Sequence, residues 1–129
     1  MSVQAASEHR ARVEEFRRKH RTGLVTLVFT DIVGSTQLKQ ELGDRQAVAL
    51  IQRHHAVVRE LLADFVGARE ISTAGDSFFL VFDKPSDAVK FALLLRGRLC
   101  AAFENGRSSR PEEAHASQPA RHSHHTAAA

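Results

Sequence analysis

The sequence predicts an α+β domain: an antiparallel sheet with helices on one face, in the order β-α-α-β-β-α. Three observations predict it. LVTLVF (Leu24–Phe29) is a short, β-branched and apolar run of the kind that forms a buried strand. Two later stretches carry apolar residues at intervals of three and four, the spacing of one buried helical stripe. Between them, Arg69–Ser72 and Ser77–Phe82 read as two strands joined through Thr73-Ala74-Gly75-Asp76, a hairpin signal with glycine in the connection.

Taken in order, residues 4–20 favour helix, with Glu14 four before Arg18. Their apolar content is only Ala11, Val13 and Phe16, so a mostly solvated lead-in helix is expected, with a signalling or dimerising helix as the sharper alternative. After the first strand, Ser35 or Thr36 can cap a short helix through Leu42. Asp44 is a fair cap for a longer one to about Phe65, buried through Ala47, Leu50, Ile51, Val57, Val58, Leu61, Leu62 and Phe65. Pro85-Ser86-Asp87 opens a last helix to Phe103, with Ala88, Phe91, Leu94, Leu95, Leu99 and Ala102 inward and Cys100 a small buried residue. From Glu104 onward there is no Val, Ile, Leu or further Phe, and a disordered polar tail is expected. The expected division is thus a basic helical lead-in at 1–23, a patterned domain at 24–103 and a tail at 104–129.

Composition narrows the function classes. The chain has 129 residues, 43% hydrophobic and 26% charged, the balance of a globular domain. No apolar run approaches the ~20 residues of a membrane span, and the start has no apolar signal core. One cysteine excludes an intrachain disulfide, and a cytoplasmic setting is expected. The net charge of +3 resides in residues 1–23, where six Arg or Lys face three Glu. The patterned region is neutral, without Trp or Tyr, and this argues against nucleic-acid binding.

The chemistry concentrates where the first strand runs into Thr30-Asp31-Ile32-Val33-Gly34-Ser35-Thr36. A carboxylate at a strand end, followed by a Gly-Ser-Thr turn opening a helix, suits metal and phosphate. Helix-end amides can hold phosphate oxygens, Gly34 permits close approach, and Asp31 offers a hard oxygen to Mg²⁺ or Mn²⁺. Asp76, 45 residues later, immediately precedes Ser77–Phe82. If that strand pairs antiparallel with Leu24–Phe29, Asp31 and Asp76 fall at the same sheet edge, where a divalent pair would relieve their repulsion. His54-His55 reads as a partly buried or surface pair, and His122, His124 and His125 as an incidental run.

VTLVFTDIVGST followed by TAGDSFFLVF resembles the class III nucleotide cyclase catalytic domain in its bacterial form, over about residues 24–103. The resemblance implies a ferredoxin-like sheet, two metal ions per site (Mg²⁺ or Mn²⁺) held by Asp31, Asp76 and the Ile32 carbonyl, and a triphosphate held at Gly34, Ser35 and Thr36. It implies conversion of ATP or GTP to a cyclic nucleotide and pyrophosphate. It further implies a dimer, homodimeric or formed with a complete cyclase domain, sharing its sites across the interface. Two departures accompany the match. The purine-recognising Lys of the family is replaced by Ser72, which brings no charge. The later strands, with the second purine contact and an Asn-Arg pair that stabilises the transition state, have no counterpart in residues 104–129, where Arg107, Arg110 and Arg121 stand in Ser/Pro/Ala/His-rich context. A truncated domain, such as a frameshifted gene would give, is therefore expected, inactive alone and with LVTLVF as an open apolar edge that aggregates or is covered by a partner. The alternatives are a non-catalytic nucleotide- or metal-binding or dimerising module and, more weakly, another two-metal phosphoryl-transfer enzyme of similar architecture.

Overall fold

A computed structural model describes residues 2–108. The order is α1 (Val3–Lys19), β1 (Thr26–Thr30), α2 (Ser35–Leu42), α3 (Asp44–Leu62), β2 (Ala68–Ala74), β3 (Ser77–Phe82) and α4 (Pro85–Ser108). Three strands form one antiparallel sheet in the order β1-β3-β2. The expected α+β order of the patterned region therefore holds, with bounds shifted by a few residues. β1 starts at Thr26 because Leu24 lies outside the ladder, and α4 runs on to Ser108. The tail expected beyond, with its histidines and with Arg110 and Arg121, lies outside the described residues.

β3 is the spine. Phe78, Leu80 and Phe82 point to one face, where α3 and α4 bring Val58, Leu61, Leu62, Ala88, Phe91 and Leu95. The alternation of the strand and the stripe of each helix bury each other, and Phe82 and Phe91 meet with ring centroids 5.4 Å apart. Two expectations for α4 fail. Leu94 is 44% exposed, and Cys100 is exposed, because α4 turns the Ala88–Phe91–Leu95–Leu99 stripe to the sheet.

The opposite face carries α1. Most of α1 stands in solvent, but it buries Phe16 against Ile71 of β2 and Val81 of β3, with Val13, Val25 and Phe79 around them. Its start is capped by the Ser2 hydroxyl, which accepts from the Ala5 N–H at 3.2 Å. β2 carries an irregularity between Glu70 and Ser72, and this leaves Ile71 out of register with β3. The Arg12 guanidinium donates to the Ile71 carbonyl there, so a bulge supplies α1 with its anchor.

Candidate functional site

β1 pairs with β3 in a register that sets Thr30 opposite Phe78, so the next residues outward, Asp31 and Ser77, are neighbours. The Ser77 hydroxyl donates to Asp31 Oδ1 at 3.1 Å. Asp76 occupies the second position of the two-residue β2–β3 loop, and the first, Gly75, has φ 58°, where a type II′ turn requires glycine. The two carboxylates thus converge on one rim. The backbone N–H of Ile32 lies between them, 3.0 Å from Asp31 Oδ1 and 3.3 Å from Asp76 Oδ2.

Gly34 follows at φ 75° as the N-cap of α2, a left-handed conformation that a side chain would strain. It provides no side-chain cap, so the first amides of α2, at Ser35 and Thr36, stay open at the helix start. Burial works to raise the Asp76 carboxyl. Donors around it, its own backbone N–H and the Ile32 N–H among them, outweigh burial and hold it below the ordinary carboxylate range. The structure therefore brings Asp31, Ile32, Gly34, Ser35, Thr36 and Asp76 to one end of the sheet.

Ser72 stands apart. It lies on β2 opposite Phe79, two residues in from the hairpin end, and facing residues of an antiparallel pair share a face of the sheet. That face is the one α1 covers, with His9 edge-on to Phe79 at 5.5 Å.

Two functional contacts were missed in the sequence. Ser77 holds Asp31, which the strand register would have shown. His55, on α3, places Nε2 at 2.7 Å from the Gly75 carbonyl and sets its ring edge-on to Phe78, tying the helix to the loop that carries Asp76. No local signal marked that pairing.

The donor set fits a hard cation that keeps part of its shell for another molecule. Among the described residues, no group of three or more His, Cys, Asp or Glu side chains is gathered for a metal. Two carboxylates beside an open helix start suit Mg²⁺ bridged to phosphate oxygens, because Mg²⁺ is held by one or two carboxylates plus substrate and water.

Residues 18–107 match the model of the adenylate and guanylate cyclase catalytic domain family. The chain belongs to that family. It is 36% identical over 84 residues to a receptor-type adenylate cyclase of Trypanosoma equiperdum, covering 65% of this chain and 18% of that protein. It is 39% identical over 75 residues to receptor-type adenylate cyclase B of Leishmania donovani, covering 58% of this chain and 5% of that protein. An adenylate cyclase of Lachancea kluyveri is 36% identical over 81 residues, covering 63% of this chain and 4% of its own length. The chain thus spans less than a fifth of each of these relatives. No helix among the described residues is long and apolar enough to cross a membrane.

Proposed function

We propose that residues 24–103 form the metal- and triphosphate-holding half of a nucleotide cyclase site, acting on ATP or GTP in cytoplasmic cyclic-nucleotide signalling. The single observation that carries this reading is the Ile32 N–H lodged between the Asp31 and Asp76 carboxylates, at the open start of α2. Asp31, Asp76 and the Ile32 carbonyl are the oxygens that would hold two Mg²⁺ or Mn²⁺ ions. Bound there, the ions would supply charge neutralisation and a lowered pKa for the ribose 3′-hydroxyl. The open amides of Ser35 and Thr36 orient the triphosphate, and Gly34 lets it approach. In the reaction the 3′-oxygen bonds to the α-phosphorus as its proton leaves, and the bond to the β-phosphate oxygen breaks to release pyrophosphate.

The Asn-Arg pair that the resemblance requires would come from a complete cyclase domain paired with this one. Losing a transition-state Arg costs orders of magnitude in rate, so this chain alone is expected to turn over negligibly. A second reading, a non-catalytic nucleotide-binding or regulatory module, is favoured by Ser72, which brings no charge to the base position and lies on the face covered by α1.

Incubation of the purified chain with Mn²⁺ and ATP or GTP tests both readings. Metal-dependent nucleotide binding is expected, weakened about tenfold or more by Asp31→Ala. Cyclic nucleotide above that of the Asp31→Ala protein supports the enzyme, and binding without product supports the module. Binding that is unchanged in Asp31→Ala, or independent of metal, removes both.

A further inference from the structure

Asp76 is placed by more than its hairpin. Its N–H belongs to the same peptide unit as the Gly75 carbonyl, and that N–H donates to the Asp76 carboxylate. A peptide unit is planar, so whatever aims the Gly75 carbonyl also aims the Asp76 N–H on its other side. The group that aims it comes from α3. His55 Nε2 lies 2.7 Å from the Gly75 oxygen. A carbonyl oxygen only accepts, so Nε2 carries the proton and donates. The outcome is one run of hydrogen bonds, from His55 through the Gly75–Asp76 peptide to the carboxylate. The Ile32 N–H meets that carboxylate at 3.3 Å. Bonds in such a run polarise and strengthen one another.

The imidazole is itself held. It lies edge-on to Phe78, with ring centroids 4.9 Å apart. Phe78 is 1% exposed and pairs with Thr30, the residue before Asp31. A half-buried ring seated on the core thus reaches out to the loop tip, where Gly75 is exposed. One turn further along, α3 grips the hairpin a second time. Arg59 makes two hydrogen bonds of 3.0 Å to the Glu70 carboxylate, which also accepts from the Thr73 hydroxyl. That second hold is on β2 and makes no bond to the Gly75–Asp76 peptide, so the two grips can be separated by substitution.

We propose that His55 is a positioning residue for the divalent ion: its Nε2–H fixes the Gly75–Asp76 peptide, and with it the direction in which Asp76 presents its oxygens. The role rests on the proposed holding of the ion by Asp31 and Asp76. A carboxylate already aimed binds without further ordering, whereas one on a loop free to rock must be ordered by the ion itself. His55 touches neither ion nor nucleotide in this role. It acts through one peptide.

Mn²⁺ titrated into the full 129-residue chain, with the free ion read by electron paramagnetic resonance at about pH 8 where imidazole is neutral, tests it. His55→Leu keeps the bulk and loses the donor. It is expected to weaken Mn²⁺ about tenfold, the low end of what losing a group that orients a metal's ligand costs. His55→Gln carries an amide N–H to a similar reach and is expected to recover most of that loss. Arg59→Met releases only the second grip and is expected to leave the affinity within about twofold. An equal loss in Arg59→Met, or no recovery in His55→Gln, would make His55 general support for the hairpin and overturn the proposal. Mn²⁺ binding that falls in Asp31→Ala but not in His55→Leu would remove the role of His55 and leave the ion site standing. Binding equal in Asp31→Ala and the unaltered chain would remove the ion site, and this role with it. Nitrogen magnetic resonance of the unaltered chain covers the case in which His55→Leu folds poorly. His55 is expected as the Nε2–H tautomer, and Mg²⁺ should shift its Nε2 and the Asp76 amide along one binding curve. An unprotonated Nε2, or a His55 signal that stays still while the Asp76 amide moves, would refute the proposal.

Discussion

The two faces of β3 are packed to unequal depth. On one face Phe78, Leu80 and Phe82 meet two long helices, and the cluster there includes Val58, Leu61, Ala88 and Phe91. On the other face a single helix contributes one fully buried side chain, Phe16, to Ile71 and Val81. The first face holds the fold and aims the hairpin that carries Asp76. The second is a docking contact, held by one aromatic ring, one guanidinium and a ladder irregularity. The domain therefore divides into a body that must remain packed and an α1 that can leave it.

Cutting the body should give the largest effect. Phe91 is wholly buried and meets both Phe65 and Phe82 edge-on or tilted, so Phe91→Ala removes a ring that three elements share. A loss of about 3–5 kcal/mol is expected in urea unfolding, as is usual for a large aromatic left as a cavity. Because this is a large share of a small domain's stability, the hydrogen bond from His55 to the Gly75 carbonyl should be lost in the same transition.

Phe16→Ala should give a smaller effect of a different kind. Its cost is capped by the free energy of releasing α1, about 2 kcal/mol for one buried aromatic ring. Amide exchange should rise throughout Val3–Lys19 while α3 and α4 stay protected. If α3 and α4 lost protection in parallel, the two faces would be one cooperative unit.

The same inequality explains what could be read from the sequence. α3 and α4 announce themselves by apolar spacing because their partner is a whole strand face. The meeting of Asp31 and Asp76 was legible too, since antiparallel pairing of two apolar runs fixes which ends coincide. α1 was not legible. Phe16 alone carries its burial, and the group that anchors Arg12 is the Ile71 carbonyl, a backbone atom exposed by an irregularity in β2. No spacing rule reports such a bulge. His55 escaped for a like reason, because its partner is also a main-chain oxygen, in a loop 20 residues away. The Ser77–Asp31 contact follows from the register, but only once the register is known.

The smallest expected effect concerns the boundary of the deep face. His54 is 5% exposed on α3, its Nδ1 is buried without a partner, and its ring lies 5.9 Å from that of Phe78. Burial lowers its pKa below the ordinary value of 6.5, the neighbouring His55 lowers it further, and the Asp76 carboxylate opposes both. Well above pH 6.5 the ring is neutral in folded and unfolded chains alike, and there it contributes no pH dependence. As the pH falls through that value the unfolded chain takes up a proton first, so the native state loses stability until the pH reaches the lowered value of the folded protein. Urea midpoints measured on descending from pH 7.5 should therefore drop, and His54→Leu, which keeps an apolar side chain of similar bulk at the site, should flatten that decline. An equal decline in His54→Leu would assign the proton to another group.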